Sequence, residues 1–324
     1  MPLIFDFCIA TDWEYDRDFL QLVQRYAHQE QGLSTYIVEP FNLNETIRKL
    51  HDNELAFNFL FDRGSDSTPE FLELHRWLVE RGIPVLDPLE RLKWASDKAT
   101  MHLEFISNGL ATPYTIIIPP FSTTEDLFLS VADLAKLGRP FIIKPANTTG
   151  GGLGVVNGAE TLQDVLQARK EYGDDKYLLQ EKVIPIERNQ KRFWFRGFYC
   201  CGLIECTWWN DLTHVYESLT PEDIINFQLQ PLFDIVKKIS NLIKLNFFST
   251  EIAVNQRGQF IVIDYVNEIC DMRLKSMHPD GVPDQIVKKI SSQIARYVRE
   301  QISTVGHRGS LPMGRANSSS FISQ

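Results

Sequence analysis

The sequence predicts an α/β fold in which a parallel-stranded first domain precedes a second domain built from α+β lobes. Two observations lead to this prediction. Strand-like and amphipathic helix-like runs alternate over residues 1–95, whereas long strand-like runs and a hairpin pattern appear after residue 96. The length of 324 residues suits about two domains.

Residues 1–95 alternate regularly between the two kinds of run. In chain order the runs are LIFDFCIA, DRDFLQLVQRYAHQ, STYIVEP, NETIRKLHD, ELAFNFLF, TPEFLELHRWLVERG and IPVLDP. Strands that alternate with helices pair in parallel through βαβ units, with a crevice at the strand ends. We therefore expect a Rossmann-like N-terminal domain.

Residues 96–303 are expected to form the second domain. The helix-like run DKATMHLEFISNG ends at Gly109, and residues 96–180 are assigned to a small lobe. The aromatic run RFWFRGFYCCGLIECTWW predicts a strand pair in a large lobe of residues 181–303.

Helices and a tail are predicted in the last third of the chain. Thr220 and Pro221 provide N-cap and N1 signals for a helix with a kink at Pro231. A final helix is predicted at about 283–302. Residues 304–324 are rich in Gly, Ser, Arg and Asn, so a disordered tail is expected.

Composition excludes several classes of protein. Apolar residues make up 44% and charged residues 23%, as in globular proteins, and no apolar run approaches the roughly 20 residues of a membrane span. The net charge of -9 argues against nucleic acid and membrane as main partners. The first residues lack the basic start of a signal peptide, and five cysteines without a CxxC pair suggest reduced thiols. A cytoplasmic protein is expected.

A glycine-rich loop follows the strand-like run FIIKP. The run delivers Lys144, and the loop contains Thr149, Gly150, Gly151 and Gly152. Glycines let backbone N–H groups converge on phosphate oxygens, and lysine adds charge. The loop lacks the GKS or GKT of a P-loop and the third glycine of a dinucleotide fingerprint. We predict a phosphate-binding loop of another kind; the alternative is a turn with incidental glycines.

Two acids face each other on the late hairpin FFSTEIAV–FIVIDYVNE. A two-residue turn at Arg257 and Gly258 would place Glu251 directly opposite Asp264. Because adjacent like charges are destabilising, the pair suggests a bound cation or one protonated acid. With Asn267 nearby, the set suits Mg²⁺. The alternative is a shifted register with solvated acids.

The order of these motifs resembles the ATP-grasp superfamily, nearest to D-alanine:D-alanine ligases and RimK-like carboxylate–amine ligases. The resemblance covers about residues 1–302. It is carried by ASDKATMHLEFISNGLATP, FIIKPANTTGGGLGVV, LLQEKVI, KRFWFRGFYCCGLI and IDYVNE. It implies ATP bound with Mg²⁺, or alternatively Mn²⁺, between the two lobes of an ATP-grasp domain.

The resemblance also implies roles for residues that would bind the nucleotide. Lys98 and Lys144 correspond to the two nucleotide lysines. Glu181 would accept a hydrogen bond from the adenine amino group, and the backbone near Val183 would contact the ring edge. Glu187 is the candidate for the ribose hydroxyls.

For the phosphate and the metal, the resemblance selects Arg192, with Arg196 second, and the strand that carries Asp264 and Asn267. The usual pattern there is acid, one residue, asparagine, whereas this chain has two intervening residues. Either a bulge restores the geometry or Glu268 takes part.

Similar enzymes transfer the γ-phosphoryl group of ATP to a carboxylate, and an amine then attacks the acylphosphate. The expected substrates are therefore a small-molecule carboxylate and an amine, and a homodimer is an option. Arg273 could clamp a substrate carboxylate, or lie in a solvated loop. Trp208 and Trp209 are candidates for a pocket wall, with a core position as the alternative.

Three other functions are compatible to differing degrees. Some ATP-grasp relatives are kinases that phosphorylate a hydroxyl with the same nucleotide residues. A nucleotide-binding regulatory protein without turnover is a second alternative. A Rossmann oxidoreductase is a third, although the first strand ends in CIATDWEYD without a glycine fingerprint.

Overall fold

The computed structural model describes residues 1–147 and 152–308, with the backbone alone for 305–308. The chain forms two compact units. Unit 1 comprises Met1–Asp12, Val23–Val85 and the chain from Ile294, and unit 2 comprises Trp13–Leu22 and Leu86–Gln293. The units therefore differ from the predicted domains, because the division falls before residue 95 and the end of the last helix joins unit 1.

A parallel sheet forms the centre of unit 1. β2 pairs in parallel with β3 and with β5, and the sheet order is β3-β2-β5-β6. The predicted parallel βαβ arrangement is thus confirmed. The first elements of the chain are β1 (Leu3–Phe5), β2 (Phe7–Thr11), α1 (Arg17–Gln31), β3 (Thr35–Val38), α2 (Leu43–His51), β4 (Leu55–Phe57), β5 (Leu60–Arg63), α3 (Phe71–Glu80) and β6 (Val85–Leu86).

The first strand-like run divides at Asp6 into two strands. The Asp6 carboxylate accepts hydrogen bonds from the Ser34 backbone N–H (2.9 Å) and hydroxyl (2.8 Å), and from the Asn58 amide (3.3 Å). β1 pairs with β4 outside the four-stranded sheet. The prediction of one continuous strand was wrong because the Asp6 carboxylate bonds to Ser34 and Asn58, which are distant in the sequence, and so separates the two strands.

A four-stranded antiparallel sheet forms the small lobe of unit 2, in the order β7-β10-β8-β9. Asp97 caps α5 by accepting from the backbone N–H groups of Ala99 and Thr100. The helix ends before Gly109, whose φ of +68° suits glycine. The elements are α4 (Leu89–Ser96), α5 (Lys98–Ser107), β7 (Thr115–Ile118), α6 (Val131–Leu137), β8 (Phe141–Pro145), β9 (Val156–Ala159), α7 (Leu162–Glu171) and β10 (Tyr177–Glu181).

A five-stranded antiparallel sheet forms the large lobe, in the order β15-β14-β13-β16-β17. One face packs its apolar residues in a core with Val236 and Ile239 of α9. The elements are β11 (Glu187–Arg188), β12 (Lys191–Arg192), β13 (Trp194–Cys200), β14 (Leu203–Trp209), β15 (Tyr216–Ser218), α8 (Pro221–Asn226), α9 (Gln230–Ile243), β16 (Phe247–Val254), β17 (Phe260–Asn267) and α10 (Asp284–Arg308).

The predicted helix with a kink at Pro231 is two helices. Thr220 caps α8 with a reciprocal capping box to Asp223, as its sequence indicates. Pro231 lies in the first turn of α9, where its missing N–H leaves no intrahelical bond unmade. The proline therefore begins a new helix.

α10 continues beyond the predicted helix end at 302 and into the predicted tail. Its later part belongs to unit 1, where Tyr297 contacts the Phe59 ring (6.1 Å between centroids) and Arg299 donates to the Gln31 carbonyl (3.0 Å). Residues 309–324 lie outside the described ranges. Within those ranges, no helix has the length and apolar character to cross a membrane.

Candidate active site

Glu251 on β16 pairs directly with Asp264 on β17, as the sequence predicts. Arg196 on β13 lies opposite Glu251 on the other side of β16. The five-stranded sheet therefore places two acids and an arginine side by side across three adjacent strands, on the face away from its apolar core.

The hairpin turn is longer than the predicted two residues. Val254 pairs with Phe260, and Gly258 supplies a residue with φ of +76° within the turn. A register shift between Glu251 and Ile252 then brings the two acids into opposition. The predicted pair is thus confirmed, although the predicted turn was wrong and a bulge compensates for it.

A second irregularity in β17 concerns Asn267. The pairs Ser249–Asn267 and Glu251–Asp264 are two residues apart on β16 and three apart on β17. Cross-strand partners lie on the same face, so the extra residue brings Asn267 to the face of Asp264. This bulge is one of the two alternatives that the sequence spacing left open, and Glu268, the residue of the other alternative, lies just beyond the strand.

Three cations come close to the acidic pair from three elements. Lys98 begins α5, Lys144 lies on β8 and Arg196 lies on β13, and all three side chains are buried. The Lys144 Nζ donates to the backbone carbonyl of Ile263 (3.1 Å), the residue before Asp264. The predicted residues Lys98, Lys144, Glu251 and Asp264 are therefore brought together.

The surrounding charges shift the pKa values of Asp264 and Glu251 in opposite directions. Burial raises the pKa of Asp264, but Lys98, Lys144 and Arg196 together outweigh it and the pKa is lowered. Burial raises the pKa of Glu251, against Arg196, and Asp264 raises it further, so its net pKa is above the usual value. Asp264 is therefore the more acidic partner of the pair.

Lys144 is held in a buried position with other charges nearby. Its net pKa is lowered to about 8, chiefly by burial and also by Lys98, while Asp264 and Glu251 oppose the shift. A lysine in this range is charged at neutral pH yet poorly hydrated. It is suited to replace water around an anionic ligand.

Arg196 is the arginine beside the acidic pair. Its Nη2 lies 2.8 Å from Glu251 Oε1, while Trp194 Nε1 donates to the other Glu251 oxygen (3.1 Å). Its buried Nε has no hydrogen-bond partner within the described part of the chain. A buried donor without a partner is costly, so this atom suits an anionic ligand.

Arg192, the first choice from the sequence, lies elsewhere. It pairs with Glu187 in the β11–β12 hairpin and donates to Glu187 (2.9 Å) and, through Nε and Nη2, to Asp211. Four residues of extended chain, about 13 Å, separate it from Arg196. The second choice, Arg196, is thus the one that adjoins the acidic pair.

The residues proposed to contact adenosine lie at and after the end of β10. Glu181 ends this strand, and its Oε1 accepts from the Tyr114 backbone N–H (2.8 Å). Val183 follows and is half-buried, whereas the Glu187 side chain is 66% exposed. One oxygen of Glu181 is already used to join β10 to the segment before β7.

The glycine loop is described only in part. Thr149, Gly150 and Gly151 lie outside the described residues. Gly152 has φ of +80°, a conformation that favours glycine, and open space surrounds the position of a Cβ. Only Ala146 and Asn147 separate the loop from β8, the strand that carries Lys144.

Arg273 lies in the segment after β17. Its guanidinium donates to Asp271 (2.7 and 2.9 Å) and to Asp280 (2.9 Å), and it lies 6.0 Å from the Trp13 ring. These carboxylates raise its pKa. Arg273, which was predicted to bind a substrate carboxylate, is therefore already paired with Asp271 and Asp280.

The two tryptophans have different environments. Trp208 lies in the core, with its ring 4.6 Å from that of Phe195. Trp209 lies on the opposite face, where the Arg196 guanidinium is 5.1 Å from its ring. Trp208 is thus a core residue, and only Trp209 adjoins the candidate site.

A buried polar network lies beneath the lysines, and sequence reasoning missed it. The Tyr265 hydroxyl contacts Gln180 Nε2 and His102 Nδ1, each at 2.7 Å. The Lys144 Nζ lies 5.1 Å from the Tyr265 ring centroid. Burial and Lys144 lower the pKa of His102, which favours its neutral form. No motif marks these residues, because Tyr265 reads as a core position in an apolar strand.

The oxygen ligands around Asp264 suit a magnesium ion that is shared with phosphates. Among the described residues, no three His, Cys, Asp or Glu side chains are grouped so as to hold a metal ion. Mg²⁺ at nucleotide sites usually takes one or two carboxylates together with phosphate oxygens and water. The Asp264 carboxylate, with Asn267 on the same face, fits that smaller set.

Solved ATP-grasp structures share this architecture. A RimK domain ATP-grasp protein from Sphaerobacter thermophilus is 18% identical over 90% of this chain and 98% of its own, with a TM-score of 0.61. D-alanine–D-alanine ligase from Bacillus anthracis, solved with ATP, is 15% identical over 94% and 100%, with a TM-score of 0.61. Macrocyclase MdnC from Microcystis aeruginosa, solved with a precursor peptide, is 14% identical over 92% and 100%, with a TM-score of 0.57.

No protein-family profile and no curated protein sequence matches the chain. The structural matches cover nearly the whole length of both partners at low identity. The chain has the ATP-grasp fold, and the fold resemblance seen in the sequence is confirmed.

Proposed function

We propose that this protein is an ATP-dependent carboxylate–amine ligase that binds Mg-ATP between the small and large lobes of unit 2. The observation that carries the proposal is the buried group of Lys98, Lys144 and Arg196 around Asp264, whose pKa these cations lower. Burying three cations against two acids is costly without a further anionic partner. A triphosphate with its metal ion supplies that partner.

The nucleotide is proposed to lie along the predicted residues. Glu181, through its second oxygen, and the backbone near Val183 would contact adenine, and Glu187 would contact ribose. The glycine loop at Thr149, Gly150, Gly151 and Gly152 would cover the phosphates. These positions follow the family resemblance.

Asp264 and Asn267 are proposed to hold Mg²⁺ with the phosphates, and Glu251 borders them. The metal ion would neutralise phosphate charge and orient the γ-phosphoryl group. Arg196 keeps one Glu251 oxygen occupied at 2.8 Å. Glu251 is therefore expected to contribute less directly to the metal than Asp264.

In the proposed reaction, the γ-phosphoryl group passes to a substrate carboxylate, and an amine displaces phosphate from the acylphosphate. Lys144 and Arg196 would stabilise the charge that develops on the phosphoryl oxygens. Arg196 takes the role first assigned to Arg192. Arg273 could bind the substrate carboxylate only by exchanging one of its own acidic partners.

Amino acids and peptides are the proposed substrate class. Support comes from the similar structures, which include a D-alanine–D-alanine ligase and a macrocyclase solved with its precursor peptide. The proposal is restricted to this class because low identity leaves the particular substrates open.

The proposal is tested by incubating the protein with Mg-ATP and pooled amino acids, small peptides and hydroxylated metabolites, and following phosphorus species by NMR. A ligase yields ADP and free phosphate that depend on the pool. A new phosphoester without free phosphate would mean a kinase instead. Asp264→Asn is the matched control and should form neither ADP nor free phosphate. ADP formation by this variant would contradict the metal assignment.

A further inference from the structure

We propose that Tyr265 is a positioning residue that holds Lys98 and Lys144 in place for the phosphates, without itself contacting the nucleotide. The inference rests on the proposed Mg-ATP site. Tyr265 follows Asp264 in β17 and is fully buried. Its side chain contacts residues of α5, β8 and β10, of which α5 carries Lys98 and β8 carries Lys144.

Besides a hydrogen bond with the Thr115 side chain, the hydroxyl of Tyr265 has two close partners, Gln180 and His102. Gln180 Nε2 donates to it at 2.7 Å, which leaves the hydroxyl proton available for His102 Nδ1, also at 2.7 Å. Both partners are buried. A buried chain of this kind fixes its members strongly, because each broken link leaves a polar atom without a partner.

The His102 link positions Lys98. His102 follows Lys98 by four residues in α5, so the two side chains lie one turn apart on the same face of the helix. The bond from His102 to Tyr265 fixes this face against β17. Lys98 is thereby held near Asp264, the residue next to Tyr265.

The Gln180 link and the aromatic ring position Lys144. Gln180 lies on β10, which pairs with β8 so that Leu178 is opposite Lys144. The Lys144 Nζ donates to the Ile263 carbonyl and lies 5.1 Å from the Tyr265 ring. Ile263 and Tyr265 thus hold Lys144 from both sides of Asp264.

A purely structural role for Tyr265 predicts different behaviour. A core residue affects the stability of the lobe and the binding of any part of the nucleotide alike. A residue that positions the two lysines affects the triphosphate and leaves the nucleoside unaffected. ATP and adenosine therefore separate the two roles.

The test compares Tyr265→Phe with Tyr177→Phe, measuring the Kd for ATP with Mg²⁺, the Kd for adenosine and the thermal midpoint. Tyr177 is the matched control, because it is also fully buried and its hydroxyl accepts a hydrogen bond from the Tyr172 N–H (3.2 Å), away from the lysines. We expect Tyr265→Phe to weaken ATP binding about tenfold, with adenosine affinity within about twofold. Tyr177→Phe should change neither affinity.

The inference is overturned if Tyr265→Phe leaves ATP affinity unchanged, or weakens ATP and adenosine equally. Gln180→Met, which removes one link with little change of volume, should shift ATP affinity in the same direction and guards against a misfolded Tyr265 variant. Failure of the wild-type protein to bind Mg-ATP would overturn the proposed function itself. If the wild-type protein binds Mg-ATP and Tyr265→Phe binds it with the same affinity, only this inference is overturned.

Discussion

Lys144 illustrates how position sets the chemistry of a single residue. Its β8 location buries the ammonium beside Lys98, and burial is the main cause of a pKa near 8. Asp264 and Glu251 limit the shift. The side chain stays charged below about pH 8 and loses its charge above it.

ATP binding is therefore expected to weaken as pH rises through about 8. The sign follows from a lysine pKa lowered from 10.5, since the charged form that attracts phosphate exists only below the shifted value. The measurement is the Kd for ATP on both sides of pH 8, with Lys144→Arg as control. An arginine stays charged, so its binding should not decline there; identical profiles would contradict the assignment.

Arg196 and Arg192 provide a matched pair for the phosphate role. Arg196→Met should lower kcat by about 100-fold, because a buried donor near the transferred group is lost and Glu251 loses its partner. Arg192→Met should change kcat by less than about tenfold, because its partners are Glu187 and Asp211. Equal losses would show that the site extends to Arg192. Phosphate release under saturating ATP measures both.

At the scale of elements, the position of the Asn267 side chain depends on a bulge in β17. Its extra residue brings Asn267 to the face of Asp264, despite a spacing that would otherwise point the two side chains to opposite faces. The sequence left two alternatives, a bulge or participation of Glu268. The bulge makes Asn267 the better ligand candidate.

Asn267→Ala should raise the Mg²⁺ concentration needed for half-maximal activity by about tenfold, because an oxygen ligand is lost. Glu268→Gln should leave it nearly unchanged, since this residue lies beyond the strand. A magnesium titration of activity compares the two variants. A larger increase in the Mg²⁺ requirement for Glu268→Gln than for Asn267→Ala would assign the metal-ligand role to Glu268.

α8 offers an element-scale test of stability apart from function. Thr220→Ala removes the side chain that accepts the Asp223 N–H, and should lower the free energy of unfolding by about 1 kcal/mol. ATP affinity should stay the same. Thr304→Ala, whose hydroxyl donates to a carbonyl within α10, is the control. Denaturant unfolding measures both, and equal effects would argue against a capping role.

At the scale of the whole molecule, ligand binding and stability are linked. Mg-ATP at about 100 times its Kd should stabilise the folded protein by about 2.7 kcal/mol, because the assembled site exists only in the folded chain. A thermal scan with and without Mg-ATP measures the increase in Tm. Asp264→Asn should lose most of the increase; an equal increase in this variant would place the metal ion elsewhere.

Much of the fold could be predicted because its signals are local. The alternation of strands and helices, the capping box at Thr220 and the late hairpin depend on neighbouring residues and on periodicity. The opposition of Glu251 and Asp264 was found in the same way. Bulges could not be read from periodicity, so the turn prediction failed while the pair itself was right.

The sequence by itself determined the α/β class, the order of the motifs and the candidate lysines and acids. Only the tertiary structure showed that Arg196 adjoins the acidic pair, joined the end of α10 to unit 1, and connected Tyr265 with His102 and Gln180. Local hydrogen bonding and hydrophobic periodicity are encoded by adjacent residues. The meeting of side chains from α5, β8, β10 and β17 depends on how separate elements pack, which no short stretch of sequence specifies.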